Sequence, residues 1–225
     1  MGQSGIPDSR VLPASWDSGF AVAKYIMTLR NQLRRISERF FEIPLARALN
    51  ALRITPNTVT FLGLAITASA AHLVSRGYFL YGGLVLIFAS AMDMLDGSLA
   101  RLTGKESDFG AALDSIVDRL AEALVLAALL VFYVWNDNNA GAFLAVATIV
   151  ISFMVSYIRA RGEGLGIPMK ESGMVTRSER AIIMIIGLLS GELFSNGPII
   201  ALGVILGFSV ISALQRVWHI WKTTR

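Results

Sequence analysis

The sequence predicts an all-α integral membrane protein, with six transmembrane helices preceded by a cytoplasmic amphipathic juxtamembrane helix. Three observations predict it. The 225 residues are 54% hydrophobic and only 16% charged, against roughly a quarter charged in an ordinary soluble domain. The apolar residues gather into six runs, most of them close to the roughly 20 residues that a helix needs to cross a bilayer. Basic residues fall almost entirely on one side of those runs, as they do in cytoplasmic loops. The same composition excludes a disordered or fibrous chain. There is no cysteine, so there is no disulfide, thiolate zinc site or cysteine nucleophile. The two histidines, His72 and His219, are far apart in the chain. Any metal would have to be a hard cation held by carboxylates.

The elements follow in chain order. Residues 1–20 read as a disordered tail. From 22 to 52, apolar residues recur among arginines at near-helical spacing: Ile26, Leu29, Leu33, Ile36, Phe40 and Ile43. This predicts an amphipathic helix on the anionic inner leaflet, broken near Pro44. The plainer alternative is a basic tail that only obeys the sidedness rule. Residues 21–54 are thus a juxtamembrane segment and 55–225 a six-helix transmembrane catalytic unit. The predicted spans are roughly 59–75, 78–95, 111–135, 140–158, 181–194 and 198–221. The third carries charges and the fifth is short. The first apolar run begins near residue 59, so no cleavable signal peptide is expected. The opening Met1-Gly2-Gln3-Ser4-Gly5-Ile6 lacks the hydroxyl residue that a myristoylation signal needs.

Eighteen of the 20 lysines and arginines lie before the first run, between runs two and three, between four and five, or at the C-terminal end. The opposite side holds only Arg76, and Arg119 sits inside the third run. Both termini are therefore expected in the cytoplasm, with an even number of spans between them. Gly203 and Gly207 form a close-packing motif, either for a dimer face or for a helix contact within the chain. Trp16, Trp135, Trp218, Trp221, Tyr78 and both histidines read as interfacial residues.

The chemistry is concentrated in Asp93, Asp96, Asp114 and Asp118. The first pair is three residues apart and the second four, so each pair shares a helix face. A short connection joins the two runs, which predicts antiparallel neighbours with four carboxylates converging at the cytoplasmic edge. Like charges so close repel one another, and acids in a membrane are costly and mark function. Oxygen ligands without histidine or cysteine favour Mg²⁺, Mn²⁺ or Ca²⁺. Gly97 and Gly110 lie one turn from Asp93 and Asp114 and leave room for a bulky polar ligand. Arg101 adds a cation for phosphate. Glu122 continues the face of Asp114 and Asp118 and reads either as a support behind those acids or, in preference, as a neighbour of Arg119.

The stretch from Asp93 to Asp118 reads Asp-x2-Asp-Gly-x2-Ala-Arg-x8-Gly-x3-Asp-x3-Asp. It resembles the signature of the CDP-alcohol phosphotransferases at every fixed position, and the six-span plan resembles that family over roughly residues 36–222. The resemblance implies an enzyme that moves a phosphatidyl group from CDP-diacylglycerol to an alcohol and releases CMP. It implies that Asp93, Asp96, Asp114 and Asp118 hold Mg²⁺, with Mn²⁺ as the alternative and two ions in all. Asp118 would also be the general base. Asn57, Thr58, Val59, Thr60, Gly97, Arg101 and Ser107 would bind the CDP-lipid. Taken alone, Pro56-Asn57-Thr58 is an ordinary helix start. The resemblance also implies a multi-pass membrane protein, a homodimer, an active site on the cytoplasmic side and no nucleic-acid partner.

The acceptor is read from later arginines. Arg180 opens the fifth run, where a cation opposes the helix dipole and is better explained by a ligand. An arginine cluster beside a metal site suggests a phosphate monoester. The stretches 156–163 and 177–180, with Gln215-Arg216, resemble the phosphatidylinositol phosphate synthase branch. By that resemblance Arg159, Arg180 and Arg216 bind the phosphate of inositol phosphate. Arg159 departs from the lysine often found there, and Arg161 serves equally well as a positive-inside anchor. Glycerol phosphate as acceptor, or an archaeal ether lipid as donor in an archaetidylinositol phosphate synthase, stand as alternatives. An ion carrier would place its acids near mid-membrane and show inverted repeats. Here they sit at the edge and no repeat is visible. A non-catalytic lipid-binding relative is opposed by the intact acidic set.

Overall fold

A computed structural model describes residues 42–169 and 172–225. Among the described residues there is no strand, and seven helices follow one another: α1 (Ile43–Ala51), α2 (Pro56–Ser75), α3 (Phe79–Thr103), α4 (Asp108–Trp135), α5 (Asn139–Gly164), α6 (Arg177–Ser190) and α7 (Gly197–Thr223). The predicted tail and the predicted amphipathic helix up to residue 41 lie outside the described residues. Helix α1 covers the end of that segment. Pro44 sits in its first turn, where a missing N–H breaks no helical hydrogen bond.

Local chemistry sets the helix ends. Thr55 caps α2, its side chain accepting the Thr58 N–H at 3.3 Å, and Pro56 follows it. Helix α3 runs past the predicted end at residue 95 and stops at Gly104, which takes the left-handed conformation with φ 63°. Asp93, Asp96, Gly97 and Arg101 thus lie on one continuous helix. Ser107 caps α4 by accepting the Gly110 N–H at 3.0 Å. Glu179 accepts both the backbone N–H and the hydroxyl of Thr176, which starts α6 at Arg177. Helix α6 ends at Ser190, short of the predicted residue 194, because Gly191 and a turn follow.

Four helices, α2, α3, α5 and α7, are long and apolar enough to cross a membrane. Helix α4 has the length but carries Asp114, Asp118, Arg119 and Glu122 among its apolar residues. Helix α6 has only 14 residues.

The helices pack as a closed ring in the order α2, α3, α6, α7, α5, α4 and back to α2, with α1 laid against α3. The expectation that the two acid-bearing helices are antiparallel neighbours is corrected by this order. Helices α3 and α4 each pack along α2, which lies between them. The short 104–107 connection fixes only their ends. Small buried residues on α2, among them Gly63, Thr67 and Ala70, let both flanking helices approach it. Leu86, Leu126, Leu129, Leu188 and Leu202 fill the core of the ring. Buried hydroxyls are satisfied locally: Thr67 donates to the Gly63 carbonyl at 2.9 Å and Thr148 to the Leu144 carbonyl at 2.7 Å. A side chain added at Gly203 or Gly207 would meet nothing within 4 Å, so among the described residues this pair makes no close helix contact.

Helix α6 meets α7 through Gly187, where an added Cβ would collide with the Cβ of Ala201. Gly187→Leu should therefore lose about 1–3 kcal/mol by overpacking, read as a lower melting temperature in detergent. Because α6 carries Arg177 and Arg180, binding at the site described next should weaken with it.

Candidate active site

Helix α3 delivers Asp93, and one turn of α4 delivers Asp114 and Asp118. One carboxylate oxygen from each lies within 4.8 Å of the others. Asp96, only 6% exposed, is not one of these three but lines a cavity with Asp114. Its Oδ2 accepts the Thr60 hydroxyl at 2.6 Å, and its Oδ1 accepts the Gly97 N–H at 2.5 Å. Three converging oxygens with no nitrogen or sulfur donor suit a hard divalent cation. Asp118 Oδ1 supports that fit: it is buried and accepts no hydrogen bond of good geometry, although it faces the Arg177 guanidinium in an ion pair.

Arg177 is the residue that sequence reasoning missed, having counted it only among the sidedness charges. Its Nη1 pairs with Asp118 and reaches Asp93 Oδ2 at 3.2 Å, with Nη2 at 3.5 Å from Asp93 Oδ1. The available signal was its position as the first residue of a helix, where a cation needs a carboxylate to offset the dipole.

Two polar cavities flank the trio. The first, about 220 Å³, touches Asp96 and Asp114 and is lined by Asn57, Thr60, Gly97, Arg101 and Ser107. Five of the seven expected CDP-lipid contacts are thus brought together. Thr58 is exposed with its hydroxyl 2.8 Å from that of Thr55, and Val59 is fully buried beside Leu95 and Leu99; neither lines the cavity. Buried Glu42, just ahead of α1, accepts the Ser98 hydroxyl and lies 3.9 Å from Arg101. The juxtamembrane segment is thereby tied to this cavity.

The second cavity, about 230 Å³, touches Asp118 and contains Arg159, Arg180 and Arg216. The three arginines expected to act together do share one space. Each already has a protein partner. Arg180, 3% exposed, makes a two-point contact with Glu122 at 2.6 and 2.8 Å. This corrects the pairing of Glu122 with Arg119, which instead donates to the Ser115 carbonyl in its own helix. Arg216 donates to the carbonyls of Val155 at 2.7 Å and Ser172 at 3.0 Å. Arg159 pairs with Glu163 at 2.9 Å on an exposed face. Gly173, with φ 101°, lies over Arg216, and a Cβ there would approach Nε to 2.7 Å. A smaller apolar cavity of about 70 Å³ lies inside the ring, lined by Gly63, Leu86, Val125 and Met184 and bounded by Asp93, Glu122 and Arg177.

The electrostatics of the two polar cavities differ. The first holds Arg101 and Lys105 against Asp96, Glu106 and Asp114, an excess of one negative charge. The second holds five arginines (119, 159, 177, 180 and 216) against Asp118, Glu122 and Glu163, an excess of two positive charges.

The chain is similar in sequence and fold to known proteins. The profile of the CDP-alcohol phosphatidyltransferase family matches residues 53–215. The phosphatidylinositol phosphate synthase of Streptomyces avermitilis is 32% identical over 198 residues, covering 82% of this chain and 81% of that protein. The archaetidylinositol phosphate synthase of Pyrococcus horikoshii is 34% identical over 178 residues, covering 79% and 89%. Two crystal structures of the Mycobacterium tuberculosis phosphatidylinositol phosphate synthase share the fold at 30% identity. One, with CDP-DAG bound, has a TM-score of 0.74 and covers 80% of this chain and 94% of that one. The other, with manganese and citrate, has a TM-score of 0.75 and covers 80% and 89%.

Glu122→Ala should leave Arg180 buried without its counter-charge, at a cost of about 3–5 kcal/mol. Chemical denaturation in detergent should show this loss, and Glu122→Asp should recover part of it.

Proposed function

The chain belongs to the CDP-alcohol phosphatidyltransferase family, and we propose that it transfers the phosphatidyl group of CDP-diacylglycerol to inositol phosphate, giving phosphatidylinositol phosphate and CMP. One observation carries this reading: two polar cavities of opposite charge meet at the acidic trio. The negative cavity suits a CDP diphosphate only when divalent cations accompany it. The positive cavity matches a phosphate monoester dianion in charge. Arginine forks suit its oxygens better than lysine point charges would.

In this reading Asp93, Asp96, Asp114 and Asp118 hold the metal, Mg²⁺ or Mn²⁺, as two ions. Such ions neutralise the diphosphate and the charge that develops at phosphorus. The chain's own residues do the rest. Asn57, Thr60, Gly97, Arg101 and Ser107 seat the nucleotide and its phosphates, with Thr58 and Val59 contributing through the start of α2. Arg159, Arg180 and Arg216 hold the acceptor phosphate so that an inositol hydroxyl faces the lipid-bearing phosphorus. Asp118 takes the hydroxyl proton as the oxygen bonds to that phosphorus. The bond from phosphorus to the bridging oxygen breaks, and CMP leaves with that oxygen. The resemblance to an archaetidylinositol phosphate synthase favours a second donor, an ether lipid, with the same acceptor.

The same proposal sets all of α2–α7 across the membrane, with both termini and the site on the cytoplasmic side, because of the one-sided basic residues. Helix α1 lies along the membrane surface in this reading. Homodimerisation, with Gly203 and Gly207 on an open face, belongs to this reading too.

Purified protein with Mg²⁺ and CDP-diacylglycerol should release CMP when inositol phosphate is added, and not with inositol or serine. Asp118→Asn should lower kcat by about 10²–10⁴-fold. Arg180→Gln and Arg216→Gln should chiefly raise the KM for inositol phosphate. CMP release with glycerol phosphate alone would sink the arginine assignment while keeping the chemistry.

A further inference from the structure

Three features stand outside the proposed chemistry. The apolar cavity inside the ring adjoins the same acids and arginines, with nothing to indicate an occupant. The Glu42–Ser98–Arg101 contact belongs to the nucleotide cavity. Arg177 differs from both, because it sits on the carboxylates that the family's metal would need.

The position of Arg177 has three parts. Its guanidinium contacts both oxygens of Asp93 and pairs with Asp118, two of the three converging acids. It is the first residue of α6, so the helix dipole pushes the cation away from the helix and toward the acids. It also lines the arginine cavity, beside Arg180 and Arg159. The side chain is about one-third exposed, so it is not locked in place by packing.

From these contacts we infer that Arg177 is a tethered counter-cation of the acidic trio, displaced into the arginine cavity when a divalent cation binds. This inference rests on the metal role assigned above to Asp93 and Asp118. The physical reason is exclusion. A Mg²⁺-sized ion binds carboxylate oxygens at about 2.0–2.1 Å. Oxygens held that closely by an ion cannot also face a guanidinium, and the two cations repel. The trio without an ion would otherwise be three close carboxylates with no counter-charge at its centre, so Arg177 stabilises the empty state. Once displaced, its nearest place is the cavity it already lines, where it adds a donor for a phosphate oxygen. By linkage, an anion that captures Arg177 in that cavity favours the metal to the same degree that the metal favours the anion. Metal and acceptor would then bind cooperatively through one side chain.

Mn²⁺ titration of the full-length detergent-solubilised protein, read by the electron paramagnetic resonance of free Mn²⁺, tests this. Arg177→Gln should bind Mn²⁺ about tenfold more tightly than wild type, within the range of ordinary coupling between sites. It should also melt at a lower temperature in chelator. Equal or weaker Mn²⁺ binding by the variant overturns the inference. Absence of Mn²⁺ binding by both proteins overturns the metal reading of the trio instead. A measurement on wild type covers the case in which the variant does not fold. Phenylglyoxal labelling at Arg177, followed by mass spectrometry, should speed up on adding Mn²⁺, and an unchanged or slower rate overturns the displacement.

Discussion

Charge placed inside a low-dielectric helix bundle has to be paired, and the acid-bearing end of this protein is organised around that constraint. Asp93, Asp114 and Asp118 converge within 4.8 Å, a spacing at which carboxylates alone would repel strongly. The chain answers with cations from α6: Arg177 against Asp93 and Asp118, and Arg180 against Glu122. Helix α6 therefore carries the counter-charges for acids on α3 and α4. Its short length suits this task, since its first residue has to start level with the acids. The capping of Thr176 by Glu179 sets that starting point.

The rest of the fold keeps those charges in register. Helix α2 lies between the two acid-bearing helices and supplies Thr60 to Asp96. Helix α7 holds the connection that precedes α6. The Ser212 hydroxyl accepts the N–H groups of Met174 and Val175 at 3.1 and 3.0 Å. Arg216 donates to Ser172, and a ring nitrogen of His219 lies 3.2 Å from the Pro168 carbonyl. His219, read from sequence as merely interfacial, thus helps to anchor the approach to α6. Arg216 serves two ends at once, as a clamp on this connection and as a wall of the arginine-lined cavity. An arginine fork has enough donors for both, where a lysine would have to choose.

Much of the site was legible before any coordinates. The spacing of Asp93 and Asp96, and of Asp114 and Asp118, places each pair on one helix face, while the meeting of Asp93 with Asp114 and Asp118 depends on how both helices pack along α2. Gly97 and Arg101 are fixed positions of the motif that carries the acids, whereas Asn57 and Ser107 were expected there only from the family resemblance. The pairing of Glu122 was misread because Arg119 is its sequence neighbour, whereas its true partner lies 58 residues away. The facing of Val59 was not legible either: it lies beside Asn57 in sequence, yet its side chain turns into the core with Leu99.

The sequence by itself determined what is local and periodic: apolar runs of membrane length, a helix start at Pro56-Asn57-Thr58, and acids grouped by helical spacing. These depend on nearest neighbours and on the solvent, so they can be read from a single chain. Tertiary structure alone decided which helix lies between which. It placed α2 between α3 and α4, turned Asp96 to Thr60 and brought Arg177 onto two acids more than 50 residues away. The physical reason is that packing in a bundle is chosen by surface shape and by the need to pair buried charge. Both are properties of faces that meet only once the ring has closed.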